Sequence, residues 1–155
     1  MTPVSKATFN NKDSYFFEAL KQRIDAYFVS NEIKQSGNYK LYTKAILLIS
    51  TLVILYISLV FYTPENSLVS LVLCALMGVN FAAIGFNIMH DGAHGSFSTK
   101  PWVNDMMSHS LEMMGGSSFM WKVKHNQNHH TFTNIEGMDD DIDIKPFIQI
   151  GRAHV

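Results

Sequence analysis

Polar and apolar positions are sorted unevenly along the chain. AILLISTLVILYISLVFYT, from Ala45 to Thr63, runs for 19 residues without a charge, and NSLVSLVLCALMGVNFAAIGFNIM, from Asn66 to Met89, runs for 24. As helices these segments would reach roughly 28 Å and 36 Å, against a bilayer hydrocarbon core of about 30 Å. Between them lies TPEN, in which Pro64 and Asn66 offer turn chemistry and Glu65 offers a charge that favours water. The pattern predicts a transmembrane helical hairpin with spans at about 45–63 and 67–89, the second long enough for its end to emerge from the lipid. A soluble domain of 155 residues rarely encloses two such uncharged helices. Upstream, DSYFFEALKQRIDAYFVSNEIKQSG repeats Phe17, Leu20, Ile24, Tyr27 and Phe28 at steps of three and four, which predicts an amphipathic helix. Asp13 or Ser14 would cap its start, and Gly37 would lie beyond its end. It suits the membrane surface or a packing role without chemistry of its own.

Charge adds an orientation. The net charge is −1, and no concentrated basic face supports a nucleic-acid partner. Lys34, Lys40 and Lys44 precede the first span while the TPEN turn carries no basic residue, so the positive-inside rule puts the N-terminus, and with it the end of the second span, in the cytoplasm. The one cysteine, Cys74, sits in the apolar stretch and reads as a packing residue.

Five of the seven histidines fall into two groups, His90 with His94 and His125 with His129 and His130. On a helix, positions i and i+4 share a face, so each group can aim two imidazoles at one point. His130 lies beside that face and would need a helix end or a second metal to contribute. Clustered imidazoles would repel on protonation, and a metal removes that difficulty. Imidazole suits zinc, copper, iron and nickel alike. A zinc peptidase would need a glutamate where Asp91 stands, and a ferritin-like di-iron bundle would need Glu-x-x-His pairs, which this sequence lacks. Histidines too many for one zinc and carboxylates too few for that bundle point to two metals at the membrane surface; haem ligated by paired histidines is a rival.

HDGAH and HNQNHH, together with GFNIMHDGAHGSFS, GGSSFMWKVKHNQNHHTFTNIEG and DDDIDIKPF around them, resemble the membrane-bound fatty acid desaturases with histidine boxes, in their bacterial acyl-CoA and acyl-lipid branch. The resemblance implies an all-α integral membrane protein: a cytoplasmic N-terminal amphipathic region over 1–40, then the first part of a desaturase domain over 41–149, with boxes at 90–94 and 125–130 on cytoplasmic helices. It implies that His90, His94, His125, His129 and His130 are ligands in a non-haem centre of two iron ions. That centre would use O2 to place a double bond in the acyl chain of an acyl-CoA or a lipid-linked fatty acid. Electrons would come from a separate ferredoxin, or from a b-type cytochrome with its reductase, and membrane lipid would surround the spans. Alternatives are a related hydroxylase or alkane monooxygenase and a non-catalytic metal- or haem-binding membrane protein.

Outside the boxes, Asp91 is a candidate to orient a ligating imidazole, or else an exposed helix-end carboxylate. His109 reads as structural or surface-exposed, Trp102 and Trp121 suit the membrane interface, and Gly115 with Gly116 marks a bend. The acidic run Asp139, Asp140, Asp141 and Asp143 could suggest calcium or iron, but a run of charges is usually solvated, and it receives no assigned role. The family pattern also has a third box resembling Q-x-x-H-H after further spans. The final IGRAHV looks like a translated sequencing adapter, so 150–155, including His154, is expected to be a non-native tail. The 155-residue chain by itself is expected to be inactive and to bind iron weakly.

Overall fold

Two asparagines start the two long helices. In the computed structural model, which describes residues 14–135, 138–144 and 148–149, the Asn38 side chain accepts from the Lys40 N–H at 3.0 Å and opens α2, Tyr39–Val60. The Asn66 side chain accepts from Leu68 N–H at 2.9 Å and Val69 N–H at 3.3 Å and opens α3, Ser67–Ile84. Each satisfies backbone donors that a helix start leaves without an intrahelical partner. The short link between them is the turn expected at TPEN, tightened by the Ser70 hydroxyl on the Pro64 carbonyl at 3.1 Å.

α3 does not stop at Ile84. It widens into a π-helical turn, Gly85–Met89, and re-forms as α4, His90–Ala93. The continuous rod Ser67–Ala93 is 27 residues long. At roughly 40 Å it exceeds the hydrocarbon core, so an emerging end is built into its length. α2 and α3 pack through a narrow seam in which Ala45, Leu52, Ile84 and Ile88 are buried together with Phe97. Outside that seam the apolar side chains face outward, Ile46 at 66%, Leu47 at 62% and Ile54 at 63% exposure. Both rods are long and apolar enough to cross a membrane, and such a surface is stable only against lipid or further protein. At the open end of the hairpin Lys44 Nζ donates to Asn87 Oδ1 at 2.7 Å, and Asn87 Nδ2 donates to the Ala83 carbonyl at 2.8 Å. One polar layer thus lies near the start of α2 and just before His90.

The remaining elements are short: α5 Pro101–Ser108, α6 Ser110–Met113, α7 Ser118–Trp121, a π-helix Lys122–His129, a 3-10 turn Asp140–Ile142, and an antiparallel pair of two-residue strands, β1 Asp143–Ile144 and β2 Ile148–Gln149. Apart from that pair and a bridge at Ile135, the described residues are in helices, turns and short loops, as the all-α expectation requires. They group into two units, Ser36–Ser118 and the chain up to Gln35 together with Phe119 onward.

The N-terminal helix, α1, covers Tyr15–Ser30, which takes in the whole apolar repeat from Phe17 to Phe28 but ends short of Gly37. Ser30 Oγ and Asn31 Nδ2 both donate to the Tyr27 carbonyl, at 3.2 Å and 2.8 Å, and Glu32 takes a left-handed φ of 53°. Side chains that bond back to the backbone compete with the next helical turn, and the helix stops well before Gly37. Ser14 precedes α1 but does not cap it by accepting; its hydroxyl donates to Glu18. Asp13 and the 150–155 tail with His154 lie outside the described residues.

Candidate functional site

His90 and His94 sit at the end of the long rod, in the Ser36–Ser118 unit. The His90 N–H closes on the Gly85 carbonyl across the π turn, and the His94 N–H donates to the His90 carbonyl at 3.0 Å. That single α-turn puts the rings on one face, with centroids 4.5 Å apart. The backbone around them is tied tightly. The Asp91 carbonyl accepts from Ser96 N–H at 2.9 Å, Phe97 N–H at 3.2 Å and Ser96 Oγ at 3.1 Å, which folds HGSF back under the helix. Asn104 on α5 completes the fold-back. Its Oδ1 accepts from Ser98 N–H at 2.7 Å, and its Nδ2 donates to the carbonyls of Gly95 at 3.1 Å and Ser98 at 2.8 Å. Gly92 is the point of closest approach: a Cβ there would lie 2.7 Å from Ser108 N and 2.8 Å from the Asn104 carbonyl. The Asp91 carboxylate is 3.6 Å from His90 Nδ1, longer than a hydrogen bond. Asp91 shapes the box through its carbonyl.

His125, His129 and His130 lie in the other unit, on the helix that opens at Ser118 and turns π-helical at Lys122. His125 and His129 share a face as their spacing predicts, but on a π-helix instead of an α-helix. In a π-helix each bond closes over five residues, and the His130 N–H donates to the His125 carbonyl at 3.1 Å. The wider turn brings both i+4 and i+5 beside position i. His125 stacks on His129 with centroids 5.0 Å apart, and His130 stands edge-on to His125 at 4.9 Å and to His129 at 5.3 Å. All three rings of the box gather, and His130 joins them from the helix end, as the C-cap residue of the π-helix Lys122–His129. Trp121, one turn earlier, stacks on His125 with centroids 4.3 Å apart and planes 24° from parallel.

Two residues of the acidic run, Asp139 and Asp141, are not left to solvent. Asp141 Oδ2 is 2.7 Å from His125 Nδ1, and its Oδ1 is 3.1 Å from Lys124 Nζ. Both carboxylate oxygens of Asp139 are 2.9 Å from His129 Nδ1. Asp139 is 2% exposed and also accepts from the N–H groups of Asn134 at 2.8 Å and Asp141 at 3.0 Å. Burial alone would raise its pKa, but the Asn134 N–H, the His129 ring and the Asp141 N–H outweigh that and hold it below the usual carboxylate range. For Asp141, burial is likewise overcome by His125 and Lys124. Both are therefore ionised acceptors near neutral pH. These two residues and Trp121 are the site features that sequence reasoning missed. The signal lay in MDDDIDI, where the acids are interrupted by Ile142 and Ile144, apolar residues that a solvated run has no need of.

His109 takes a structural place, as expected: its Nδ1 lies 3.3 Å from Glu112 Oε1 and 3.3 Å from Ser118 Oγ. Glu112 Oε1 accepts from Ser118 Oγ at 2.6 Å and Ser118 N–H at 3.0 Å, at the opening of α7. Those bonds hold the Glu112 carboxyl well below the usual range, at about 2.

Residues 66–154 match the family described as fatty acid desaturase. Among curated proteins, the chain is 37% identical over 138 residues to an sn-1 linoleoyl-lipid 6-desaturase of Arthrospira platensis, covering 89% of this chain and 37% of that protein. It is 35% identical to an sn-1 linoleoyl-lipid 6-desaturase of Synechocystis sp., over 82% of this chain and 35% of the relative. It is 36% identical to an acyl-lipid (8-3)-desaturase of Physcomitrium patens, over 90% of this chain and 30% of the relative. The chain thus spans about a third of the length of these relatives. No solved structure matches. With both histidine groups inside the matched region, this chain belongs to the fatty acid desaturase family.

Proposed function

We propose that the protein carrying this chain is a multi-pass membrane desaturase, with its N-terminus and both histidine boxes in the cytoplasm, that introduces a double bond into a lipid-linked acyl chain. The observation that carries this reading is the gathering of imidazoles in each box, to 4.5 Å in the first and to between 4.9 and 5.3 Å in the second. The first box also ends a membrane-length rod. The names of the matched relatives favour a lipid-linked substrate over an acyl-CoA, and desaturation over hydroxylation or metal storage.

The donors fit iron: His90, His94, His125, His129 and His130 offer neutral nitrogen ligands of the borderline type that iron accepts, and they resist oxidation better than thiolates would. Two bound iron ions would supply the redox power to break unactivated C–H bonds with O2. The overall change balances as a CH2–CH2 pair plus O2, two electrons and two protons giving CH=CH and two waters. The electrons come from a separate ferredoxin or b-type cytochrome. The chain itself contributes placement. The α2–α3 hairpin fixes the depth of the lipid, the polar layer of Lys44 and Asn87 marks its edge, and the rod presents His90 and His94 just beyond that edge. An acyl chain anchored by its head group in water would then receive its double bond at a depth measured from that edge.

The test is expression of the complete gene product in a host that lacks the activity, with acyl chains analysed by gas chromatography and mass spectrometry. A new double bond in lipid-linked acyl chains is expected, lost on substitution of any one of the five histidines. A hydroxylated product, or none with iron bound, would overturn the reading. The 155-residue chain alone is expected to give no product.

A further inference from the structure

We infer that Asp139 and Asp141 are positioning residues that set the tautomer of the second box, so that Nε2 is the metal-binding nitrogen of both His129 and His125. This inference rests on the proposed ligand role of those histidines and goes on to say which atom of each ring serves.

An ionised carboxylate can only accept hydrogen bonds. With Asp141 Oδ2 at 2.7 Å from His125 Nδ1 and Asp139 at 2.9 Å from His129 Nδ1, each Nδ1 must carry the proton and donate it. A neutral imidazole has one N–H and one lone pair, so the lone pair is then on Nε2. An unconstrained neutral histidine in water favours the opposite tautomer, with the proton on Nε2, and would have to exchange it before binding metal there. The carboxylates remove that step, fix the rotation of each ring and increase the electron density at the ligating nitrogen.

The carboxylates are themselves anchored. Asp139 has no exposed side-chain surface and is held by the Asn134 and Asp141 N–H groups, and Asn134 adopts a left-handed φ of 64° in the turn that makes this possible. Asp141 is held by Lys124 from the same helix as His125. Trp121 stacked on His125, and His125 on His129, fix the ring planes. The chain therefore returns 10 and 16 residues after the histidines to lock the box from behind.

The experiment uses the complete gene product, stripped of metal and labelled with ¹⁵N-histidine, in lipid. Solid-state NMR nitrogen shifts near neutral pH report the tautomers, each resonance assigned by its loss in His125→Gln or His129→Gln. Both rings are expected as Nδ1–H in the parent protein, a result that needs no carboxylate variant to fold. Asp141→Ala and Asp139→Ala should each return the paired ring towards the Nε2–H form and weaken iron(II) binding by roughly 10- to 100-fold. Asp→Asn, which keeps an accepting oxygen but no charge, should retain the tautomer with a smaller loss of affinity. Nε2–H rings in the parent protein, or unchanged tautomers and affinity in both Ala variants, would overturn the inference. Expected tautomers and affinities without any desaturated product would instead overturn the proposed reaction and leave the positioning role standing.

Discussion

The two histidine boxes are held in place by different physics. In the first, the order is in the backbone: the Asp91 carbonyl takes three donors, Asn104 ties the loop from Gly95 to Ser98, and Gly92 lets α5 come within a distance no side chain would permit. In the second, the order is in side chains: two carboxylates on Nδ1 atoms, a lysine on one of them and an indole against the leading ring. A box welded to a membrane helix has little freedom once that helix is packed. A box on a π-helix, whose backbone turn is unusual and poorly favoured, needs its rings fixed from outside. Perturbing the first should therefore cost the fold, and perturbing the second should cost the ligand.

The largest effect is expected from Gly92→Ala. The added Cβ meets Ser108 N at 2.7 Å, the Asn104 carbonyl at 2.8 Å and Met107 Cβ at 2.8 Å, and two of these are backbone atoms that cannot turn aside. Overpacking commonly costs about 1–3 kcal/mol and more where backbone must move, so the thermal midpoint in detergent should fall by many degrees or the protein should fail to accumulate. Gly78→Ala, in the same rod with nothing within 4 Å of its added Cβ, is the control and should unfold as the parent does. Equal midpoints for the two variants would break the comparison.

A smaller effect, and of the opposite kind, is expected from Trp121→Leu. Aromatic stacking of this geometry is worth about 0.5–1.5 kcal/mol, and here it acts on the plane of His125. Iron(II) affinity of the complete gene product should fall roughly 2- to 10-fold, with the thermal midpoint of the metal-free protein nearly unchanged. A fall in midpoint without a fall in affinity would place Trp121 in the packing of the unit instead of in the box.

How much of this was legible in the sequence follows the same division. Long uncharged runs and the TPEN turn announced the hairpin, because membrane length and turn chemistry are local properties. The histidine spacing announced both boxes for the same reason. The spacing also pairs His125 with His129 and leaves His130 to the helix end, where it stands as the C-cap, but nothing in KHNQNHHT declares that the backbone there is π-helical. The apolar repeat from Phe17 to Phe28 locates α1, but its end falls well before Gly37 because Ser30 and Asn31 bond to the Tyr27 carbonyl. The carboxylates were read as solvated because charge runs usually are, and only the return of the chain over the box pairs them with imidazoles. Local periodicity exposes what points one way along a helix. What closes on it from 10 or 16 residues downstream is a tertiary fact.

The smallest effect concerns the start of the helix that bears the second box. Glu112 accepts from the Ser118 hydroxyl at 2.6 Å and the Ser118 N–H at 3.0 Å, with His109 also near, and its pKa is lowered from an ordinary 4.5 to about 2. A carboxyl depressed in the folded state contributes stability that is fully present above its unfolded pKa and is lost as pH falls through the folded one. The window is thus about 4.5 down to about 2. Because Glu112 is at the surface, water and salt weaken the contribution, and the expected change in midpoint across that window is slight. Ser118→Ala removes the hydroxyl bond, the largest cause of the shift, but keeps the backbone N–H, so the Glu112 pKa should rise towards 4.5 without reaching it. Carboxyl ¹³C NMR of Glu112 from pH 6 to pH 2 would follow this directly. Titration near 4.5 in both proteins would show that the Ser118 bonds do not hold the Glu112 carboxylate at the helix start.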